Sequence, residues 1–379
     1  MTKKNNIIFS IKDNVLVTLA DSNYIDQAKQ LFSSVYLNAG WDGDYLLLAH
    51  NIPEEKLTWF RDKGIYVYEC RPLESGNDRN CGNHAPTILS KFYIFDVYFK
   101  KWKKVVYLDA DIIVVGSFVE LNSFSSFYAR PDYGGKLLRD QIIHRLDSHD
   151  LVALKRSLED RYDINSTSFN AGVLVMNTDI IQADSFRKIC VLWKEYGSLS
   201  LFGDQLITNL FVYGKWKPLP NRFNCYMPIC SRSKSFFKDN LDVIIFHFIG
   251  VKKVWQVKNP LLSVWKSNLE RAKDIDFRCV LPARQERSKE MILRSEKNIL
   301  TREMALERKI TFGGSKYFLE LDEYYAKNMM KEFRHLFLQI LRSRYFREYI
   351  KYTPYFFVSY IPLGLKMRIK EIIVRSKVA

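Results

Sequence analysis

The stretch Val105–Val114 reads VVYLDADIIV and holds two carboxylates, Asp109 and Asp111, directly after a short apolar run. The residues Val105–Leu108 predict a buried strand that ends at Asp109. A chain that leaves a strand can direct both acids at one point, where each raises the pKa of the other. A divalent cation would relieve this repulsion, and hard oxygen ligands suit Mn²⁺ or Mg²⁺. Asp-x-Asp alone is a weak signal, and a solvated turn after a strand accounts for it at least equally well.

Short apolar runs alternate with helical patterns on both sides of this stretch. The predicted strands are Val15–Ala20, Tyr45–Ala49, Ile65–Glu69, Phe169–Asn177 and Val243–Phe248. The predicted helices are Tyr24–Asn38, Pro53–Lys63, Thr87–Phe99 and Leu201–Tyr213. Such alternation favours an α/β fold on a mostly parallel sheet, with ligands bound beyond the carboxyl ends of the strands.

The pattern changes after about residue 260, where strands vanish and long charged helical patterns begin. A chain of 379 residues is long enough for one large domain and a smaller appendage. We therefore predict a ligand-binding domain over residues 1–270 and an all-helical basic region over residues 271–379.

The C-terminal region carries much of the positive charge. Residues 331–379 contain eleven Lys or Arg and three Glu, an excess of +8, which is half of the formal net charge of +16. Apolar and aromatic residues at helical spacing lie among them, a pattern typical of a helix on an anionic membrane surface. A helical subdomain that packs its apolar face on the main domain fits the same pattern, and both can hold.

Targeting signals and cysteine usage favour a cytoplasmic protein. Residues 1–10 are polar and lack the apolar core of a signal peptide. No run of about 18 apolar residues is available for a membrane span. The six cysteines include no Cys-x-x-Cys pair, which fits reduced thiols in the cytosol.

Two further segments place polar groups at the ends of predicted strands. His247 ends one strand, and Gly250 and Lys253 follow it, which offers a nitrogen ligand, close backbone approach to a phosphate and a compensating charge. Asn170 stands beside small residues at the start of Phe169–Asn177, where a ligand can approach closely. A core histidine before a surface loop, and a simple loop-to-strand junction, account for the same residues.

A third segment, Gly203-Asp204-Gln205, opens a helical pattern. Its carboxylate or amide would contact a bound ligand if the segment is functional. Otherwise Asp204 is an acidic residue that stabilises a helix N-terminus and nothing more.

Together with residues 20–24 (ADSNY) and 221–224 (NRFN), these segments resemble glycosyltransferase family 8, which includes glycogenin and bacterial lipopolysaccharide and lipooligosaccharide galactosyl- and glucosyltransferases. The likeness spans roughly residues 14–258 in the same order and extends to Met227-Pro228. It implies a GT-A type fold, a Rossmann-like mixed sheet flanked by helices. It also implies transfer of galactose or glucose from a UDP-hexose to a glycan, such as a lipid-linked saccharide.

The resemblance implies a role for each matched position. Asp109, Asp111 and His247 would bind Mn²⁺ or Mg²⁺, and Gly250 and Lys253 would hold the diphosphate. The other donor-site positions are Ala20, Asp21, Asn23 and Tyr24 for uridine, Lys91 and Ala110 for the donor, and Asn170, Ala171, Gly172, Asp132, Asp204 and Gln205 around the donor sugar. Among these the catalytic candidates are Asp204, Gln205 and Asn170.

Members of this family retain the anomeric configuration. A double displacement would need a nucleophile on the β face of the sugar, where the resemblance places Gln205. An amide is a poor nucleophile, so we expect front-face attack by the acceptor, assisted by the leaving phosphate, through an oxocarbenium-like state.

Two other classes share part of the pattern. A haloacid dehalogenase-type phosphatase also uses strand-Asp-x-Asp, but in an Asp-x-Asp-Gly-Thr context near the start of the domain, whereas Ile112 and Ile113 follow here. A non-enzymatic membrane- or nucleic-acid-binding protein would account for the charge but not for five donor-site motifs in order. We therefore expect peripheral contact with the cytoplasmic face of the inner membrane and no nucleic-acid partner.

Overall fold

The computed structural model describes residues 11–73, 86–132, 136–143, 148–226, 243–249, 253–256 and 261–281. Within them the strands are β1 (Asn14–Ala20), β2 (Asp44–His50), β3 (Tyr66–Cys70), β4 (Lys104–Leu108), β5 (Ile112–Val114), β6 (Phe127–Pro131), β7 (Phe169–Asn177), β8 (Trp216–Pro218), β9 (Cys225–Tyr226) and β10 (Ile245–His247). The α-helices of the same ranges are α1 (Ile25–Asn38), α2 (Glu54–Asp62), α3 (His149–Arg161), α4 (Ser185–Tyr196), α5 (Asp204–Phe211) and α6 (Leu262–Arg271). In this part of the chain, every helix is too short or too polar to cross a lipid bilayer.

Seven strands form one sheet in the order β3-β2-β1-β4-β7-β6-β8. Its neighbouring strands are parallel except at β7, which is antiparallel to both β4 and β6. The expected mixed sheet flanked by helices is therefore confirmed. Strands β5, β10 and β9 form a second, three-stranded sheet with β10 in the middle.

Apolar side chains cover both faces of the large sheet. Successive side chains of a strand point to opposite faces, so Val15 and Val17 of β1 pack in one core cluster and Leu16 packs in the other. Helix α1 covers the second cluster with Leu31 and Phe32. A sheet buried on both faces needs nearly continuous apolar strands, which is why the strand signals in the sequence are clear.

The strand ends that carry polar residues meet at one edge of the sheet. Strands β1 and β4 are parallel neighbours, and they end at Ala20 and Leu108. Because β7 runs the opposite way, its first residues lie beside the end of β4, with Val173 opposite Leu108. The loop after β1, the Asp-x-Asp segment and the start of β7 are thereby brought together.

The prediction of a single helix over Thr87–Phe99 is wrong. The segment consists of two 3₁₀ helices, Pro86–Phe95 and Val97–Lys101. The Asp96 side chain between them accepts a hydrogen bond from the Tyr98 backbone N–H at 2.8 Å and caps the second helix, which interrupts the first.

Several elements have no counterpart among the predictions, namely β5, β6, β8, β9, α3 and α4. Helix α3 exposes most of its length, and Leu158 is its fully buried side chain. The apolar periodicity that identifies a helix in a sequence is correspondingly weak there.

Residues just beyond 270 pack on the core of the large sheet. The Phe277 side chain is buried, and its ring centroid lies 5.0 Å from that of Tyr45, 5.6 Å from Tyr36 and 6.1 Å from Phe32. Residues 282–379 lie outside the described part of the chain. The helical character and membrane contact expected of the region 271–379 therefore remain predictions there.

The substitution Phe277→Ala tests how much residues beyond 270 contribute to this core. Removing a buried aromatic ring leaves a cavity among three aromatic neighbours, so the free energy of unfolding should fall by about 3–5 kcal/mol in urea denaturation. Val280→Ala is the control, since Val280 is exposed and should change stability by less than about 0.5 kcal/mol. Equal stability of the two variants would contradict the packing described.

Candidate active site

Asp109, Asp111 and His247 come together from two segments that lie far apart in the chain. Asp109 follows β4, Asp111 precedes β5, and His247 ends β10, where antiparallel pairing sets it opposite Ile112. The His247 Nε2 atom lies 3.2 Å from Asp111 Oδ1 and 3.9 Å from Asp109 Oδ2. One potential ligand atom from each of the three residues lies within 4.8 Å of the others. The cluster can therefore present two oxygens and one nitrogen to a single cation.

The donor atoms fit a divalent metal ion. Asp111 Oδ1 is buried and accepts no hydrogen bond, although His247 Nε2 is near. A buried carboxylate oxygen without a hydrogen bond is costly unless something else satisfies it, and a cation does so. Burial raises the pKa of Asp111, but His247 in its protonated form and Lys253 outweigh this effect and hold it well below its usual value. The oxygen is thus ionised and able to ligate.

Two lysines compensate the negative charge of the cluster. Lys253 Nζ donates to Asp111 Oδ2 and, at 2.9 Å, to the Phe248 carbonyl oxygen. Lys91 is buried, and its Nζ lies 3.2 Å from Asp109 Oδ1 and 2.8 Å from Asp204 Oδ2. Lys253 thus neutralises Asp111, and Lys91 is shared between the other two carboxylates.

Burial and charge act in opposite directions on the Lys91 group. Burial alone would lower the pKa of Lys91, but attraction to Asp109 and Asp204 raises it above its ordinary value. Burial raises the pKa of Asp204, and Lys91 partly offsets that rise. The Lys91 ammonium also donates to the Ala171 carbonyl oxygen at 3.2 Å, which fixes it against the start of β7.

Gly172 leaves the space that the cluster occupies. A Cβ atom at this position would lie 2.2 Å from His247 Cε1, 2.9 Å from Asp109 Oδ2 and 3.0 Å from Asn170 Oδ1. The Asp109 backbone N–H also donates to the Gly172 carbonyl oxygen at 2.8 Å. A glycine is required here because the histidine and the carboxylate contact the backbone of β7 directly.

The sugar-site candidates Asn170, Gln205 and Asp132 form one hydrogen-bonded chain. Asn170 Nδ2 donates to Gln205 Oε1 at 3.0 Å, and the Ala171 backbone N–H donates to the same oxygen at 3.1 Å. Gln205 Nε2 donates to Asp132 Oδ2 at 2.8 Å. The Tyr226 hydroxyl donates to Asp132 Oδ1 at 3.0 Å. The orientation of the Gln205 amide is thereby fixed from both ends.

The loop after β1 also lies near the cluster. Asp21 Oδ1 accepts from the Asn23 backbone N–H at 2.8 Å, and Asp21 Oδ2 accepts from the Thr87 hydroxyl at 3.3 Å. Tyr24 contacts Trp255 edge-on, with ring centroids 5.9 Å apart. Ala20 is buried at the end of β1. The folded loop therefore presents a half-exposed aromatic ring beside the charged groups.

Of the remaining predicted positions, one is described by the structure and the others are not. Ala110 is buried between the two aspartates of the cluster. Gly250 and the segment Met227-Pro228 lie outside the described residues, so their expected roles stay predictions.

Sequence reasoning gave no role to several residues that build the site. Asn224 Oδ1 contacts His247 Nδ1 at 2.9 Å. The Tyr107 hydroxyl donates to Asp109 Oδ1 at 2.8 Å. The Arg130 guanidinium lies 4.0 Å from the ring centroid of Tyr226 and donates to the Asn224 carbonyl oxygen at 2.7 Å. Asn224 belongs to the matched motif at residues 221–224, so it could have been considered from the sequence. Arg130 and Tyr107 belong to no motif that would have indicated a role.

The fold is similar to two solved glycosyltransferase structures. One is the galactosyltransferase LgtC in complex with donor and acceptor sugar analogs, with a TM-score of 0.50 and 20% identity over 73% of this chain and 99% of that one. The other is the bifunctional glycosyltransferase WbbM, with a TM-score of 0.50 and 18% identity over 72% of this chain and 52% of that one. The expected GT-A type fold is confirmed, and the protein has the architecture of a glycosyltransferase.

The sequence model of Glycosyl transferase family 8 matches residues 15–259, and the chain belongs to that family. The lipopolysaccharide 1,2-glucosyltransferase of Escherichia coli is 23% identical over 262 residues, 66% of this chain and 73% of that protein. Glycosyltransferase GlyB of Streptococcus pneumoniae is 28% identical over 187 residues, 46% of this chain and 40% of that protein. The match thus spans less than half the length of GlyB and about half that of WbbM.

The substitution Gly172→Ala tests the contact between β7 and the cluster. The added methyl group must displace the His247 ring or the Asp109 carboxylate, so the affinity for Mn²⁺ should fall by at least about tenfold in calorimetric titration. Gly116→Ala is the control, since its Cβ would meet Ile244 Cγ1 at 3.1 Å, a tight contact outside the cluster. Unchanged Mn²⁺ affinity in Gly172→Ala would refute the described geometry.

The substitution Lys91→Met tests the buried charge balance. It leaves the buried carboxylate of Asp204 and the partly exposed carboxylate of Asp109 without their shared cation, which should lower the free energy of unfolding by about 3–5 kcal/mol near pH 8. The pKa of Asp204 then rises further, so the folded protein holds a proton that the unfolded chain has released. Stability should therefore recover as the pH falls toward about 5, in urea unfolding at both values.

The matched control for this substitution is Lys103→Met. Lys103 pairs with Asp13 at 3.0 Å, but both side chains are exposed. Its loss should change stability by less than about 1 kcal/mol at either pH. A Lys91→Met variant that behaves like this control would show that the ammonium is dispensable for folding.

Proposed function

We propose that the protein is a retaining, metal-dependent hexosyltransferase that moves galactose or glucose from a UDP-hexose to a saccharide acceptor. The observation that carries the proposal is the convergence of Asp109, Asp111 and His247, with Lys253 beside them, at the carboxyl end of β4. Two ionised oxygens, one nitrogen and a flanking ammonium suit a divalent cation bound to a diphosphate.

The three residues would hold Mn²⁺ or Mg²⁺, and the ion would supply positive charge to the departing diphosphate. Lys253 adds a second positive charge on the same side, so the leaving UDP needs no strong acid. The half-exposed Tyr24 and the ordered Asp21 loop are suited to contact the uridine. Gly250 is proposed to bind the diphosphate on the resemblance alone.

The Gln205 contacts argue against a double displacement. Its amide oxygen already accepts two hydrogen bonds, from Asn170 Nδ2 and the Ala171 backbone. Asp204, the neighbouring carboxylate, is paired with the buried Lys91. Neither group is free to attack the anomeric carbon, which supports front-face attack by the acceptor with retention. Mass spectrometry that found a glycosyl adduct on either residue would overturn this mechanism.

The acceptor is proposed from the family branch. The Escherichia coli relative is, by its name, a lipopolysaccharide 1,2-glucosyltransferase, which supports a lipid-linked saccharide or another cell-surface glycan. Contact with the cytoplasmic face of an anionic membrane through residues 331–379 would bring the enzyme to such an acceptor. Family membership favours this transferase over the phosphatase and the non-enzymatic binding protein.

Release of UDP by the purified protein tests the proposal. UDP-galactose, UDP-glucose and UDP-N-acetylglucosamine are each incubated with Mn²⁺ or with EDTA. Slow hydrolysis of one hexose donor, dependent on metal, is the expected result, because water can replace an absent acceptor. The double variant Asp109→Ala, Asp111→Ala should lose this release by at least about 100-fold.

The choice of donor distinguishes the outcomes. Preference for UDP-galactose or UDP-glucose would support hexosyl transfer and identify the sugar. Release that persists in EDTA or in the double variant would contradict the metal-dependent mechanism. Failure of the folded protein to bind any of the three donors with Mn²⁺ present would refute the proposed activity.

A further inference from the structure

We infer that Asn224 is a positioning residue that sets the ring orientation and the tautomer of His247, so that Nε2 is the nitrogen offered to a metal ion. The inference rests on the proposed function only for the identity of that ion. It follows from a chain of side-chain amides whose orientations are fixed by two backbone N–H groups.

The first fixed point is the backbone of β7. The Gly172 N–H donates to Asn170 Oδ1 at 3.0 Å, and a backbone N–H can only donate. The atom it contacts must be the amide oxygen of Asn170. The Ala171 N–H donates to Gln205 Oε1 at 3.1 Å, which identifies that oxygen in the same way.

The rest of the chain agrees with both assignments. With its oxygen toward Gly172, Asn170 presents Nδ2 to Gln205 Oε1 at 3.0 Å, a donor to an acceptor. Gln205 then presents Nε2 to the carboxylate of Asp132 at 2.8 Å. Reversing any one amide would place two acceptors or two donors against each other.

Asn224 is the link from this chain to the histidine. Its Nδ2 lies 3.1 Å from Asn170 Oδ1, which is already identified as an acceptor, so Asn224 must donate there. Its Oδ1 therefore faces His247 Nδ1 at 2.9 Å, and Nδ1 must carry the hydrogen. The lone pair of the neutral ring is left on Nε2, the atom that faces Asp111 and Asp109.

The position of Asn224 is itself rigid. The residue is completely buried, and its carbonyl oxygen accepts from Arg130 Nη1 at 2.7 Å. Arg130 is also held by Asn221 Oδ1 at 2.8 Å and by the ring of Tyr226. Water has no access to replace the Asn224 oxygen. A buried acceptor that is hydrogen-bonded to the non-ligating nitrogen of a metal-binding histidine orients the ring and increases the basicity of the ligating nitrogen.

Metal affinity is the first test. Asn224→Ala removes the acceptor for Nδ1–H, so the Kd for Mn²⁺, measured by electron paramagnetic resonance on the full chain, should rise about 10- to 100-fold. Asn224→Asp loses the donor to Asn170 Oδ1 but keeps an oxygen that accepts from Nδ1–H, so it should bind Mn²⁺ more tightly than the alanine variant. Arg222→Ala is the matched control, because it alters the same segment at a side chain that pairs with Glu120 instead of His247 or Arg130, and its Kd should stay within about threefold of wild type.

The tautomer is the second test and needs no metal. Long-range ¹⁵N–¹H spectra of the labelled, metal-free protein, at a pH where the ring is neutral, report which nitrogen is protonated. His247→Gln identifies the signals of this residue. We expect the hydrogen on Nδ1 in wild type and Asn224→Asp, and a tautomer mixture in Asn224→Ala.

The two tests separate this inference from the proposed function. A wild-type ring protonated on Nε2, or wild-type Mn²⁺ affinity in folded Asn224→Ala, would overturn the inference. Protonation on Nδ1 in a wild-type protein that binds no Mn²⁺ would leave the positioning role standing and refute the metal-dependent activity. Thermal unfolding of each variant confirms that the protein measured is folded.

Discussion

Charge compensation around three carboxylates is the constraint on which this site depends. Asp109, Asp111 and Asp204 lie close together, with 30%, 11% and 9% of their side chains exposed, so uncompensated charges of one sign would repel strongly. Lys91 and Lys253 supply the opposing charge from two distant segments. Lys91 is the more deeply buried of the two, with 6% of its side chain exposed against 15% for Lys253.

The reversed strand β7 makes this arrangement possible. Its antiparallel pairing with β4 puts the start of one strand against the end of the other, so Gly172 touches both the Asp-x-Asp segment and His247. His247 and Asp109 leave no room for a Cβ atom at Gly172, and the backbone N–H groups of the strand orient Asn170 and Gln205. A single strand therefore positions both the Asp-Asp-His cluster and the amides beside it.

The amide chain also connects the two halves of the proposed chemistry. At one end Gln205 is tied to Asp132, beside the expected sugar site, and at the other end Asn224 holds His247. The Gln205 amide oxygen already accepts two structural hydrogen bonds, which makes it a poor candidate for a nucleophile. Preorganisation of this kind stabilises charge in the transition state without reorganisation during the reaction.

The sequence by itself determined the buried strands β1, β2, β4 and β7, because strands buried on both faces appear in the chain as nearly continuous apolar runs. It also singled out Asp109, Asp111 and His247, since their residue types and their places after apolar strands limit the chemistry. The tertiary structure alone decided that Lys91 is shared by two carboxylates and that Asn224 faces the histidine. These contacts join residues far apart in the chain. Which side chains meet, and at what distance, depends on strand order and register, which local sequence patterns do not specify.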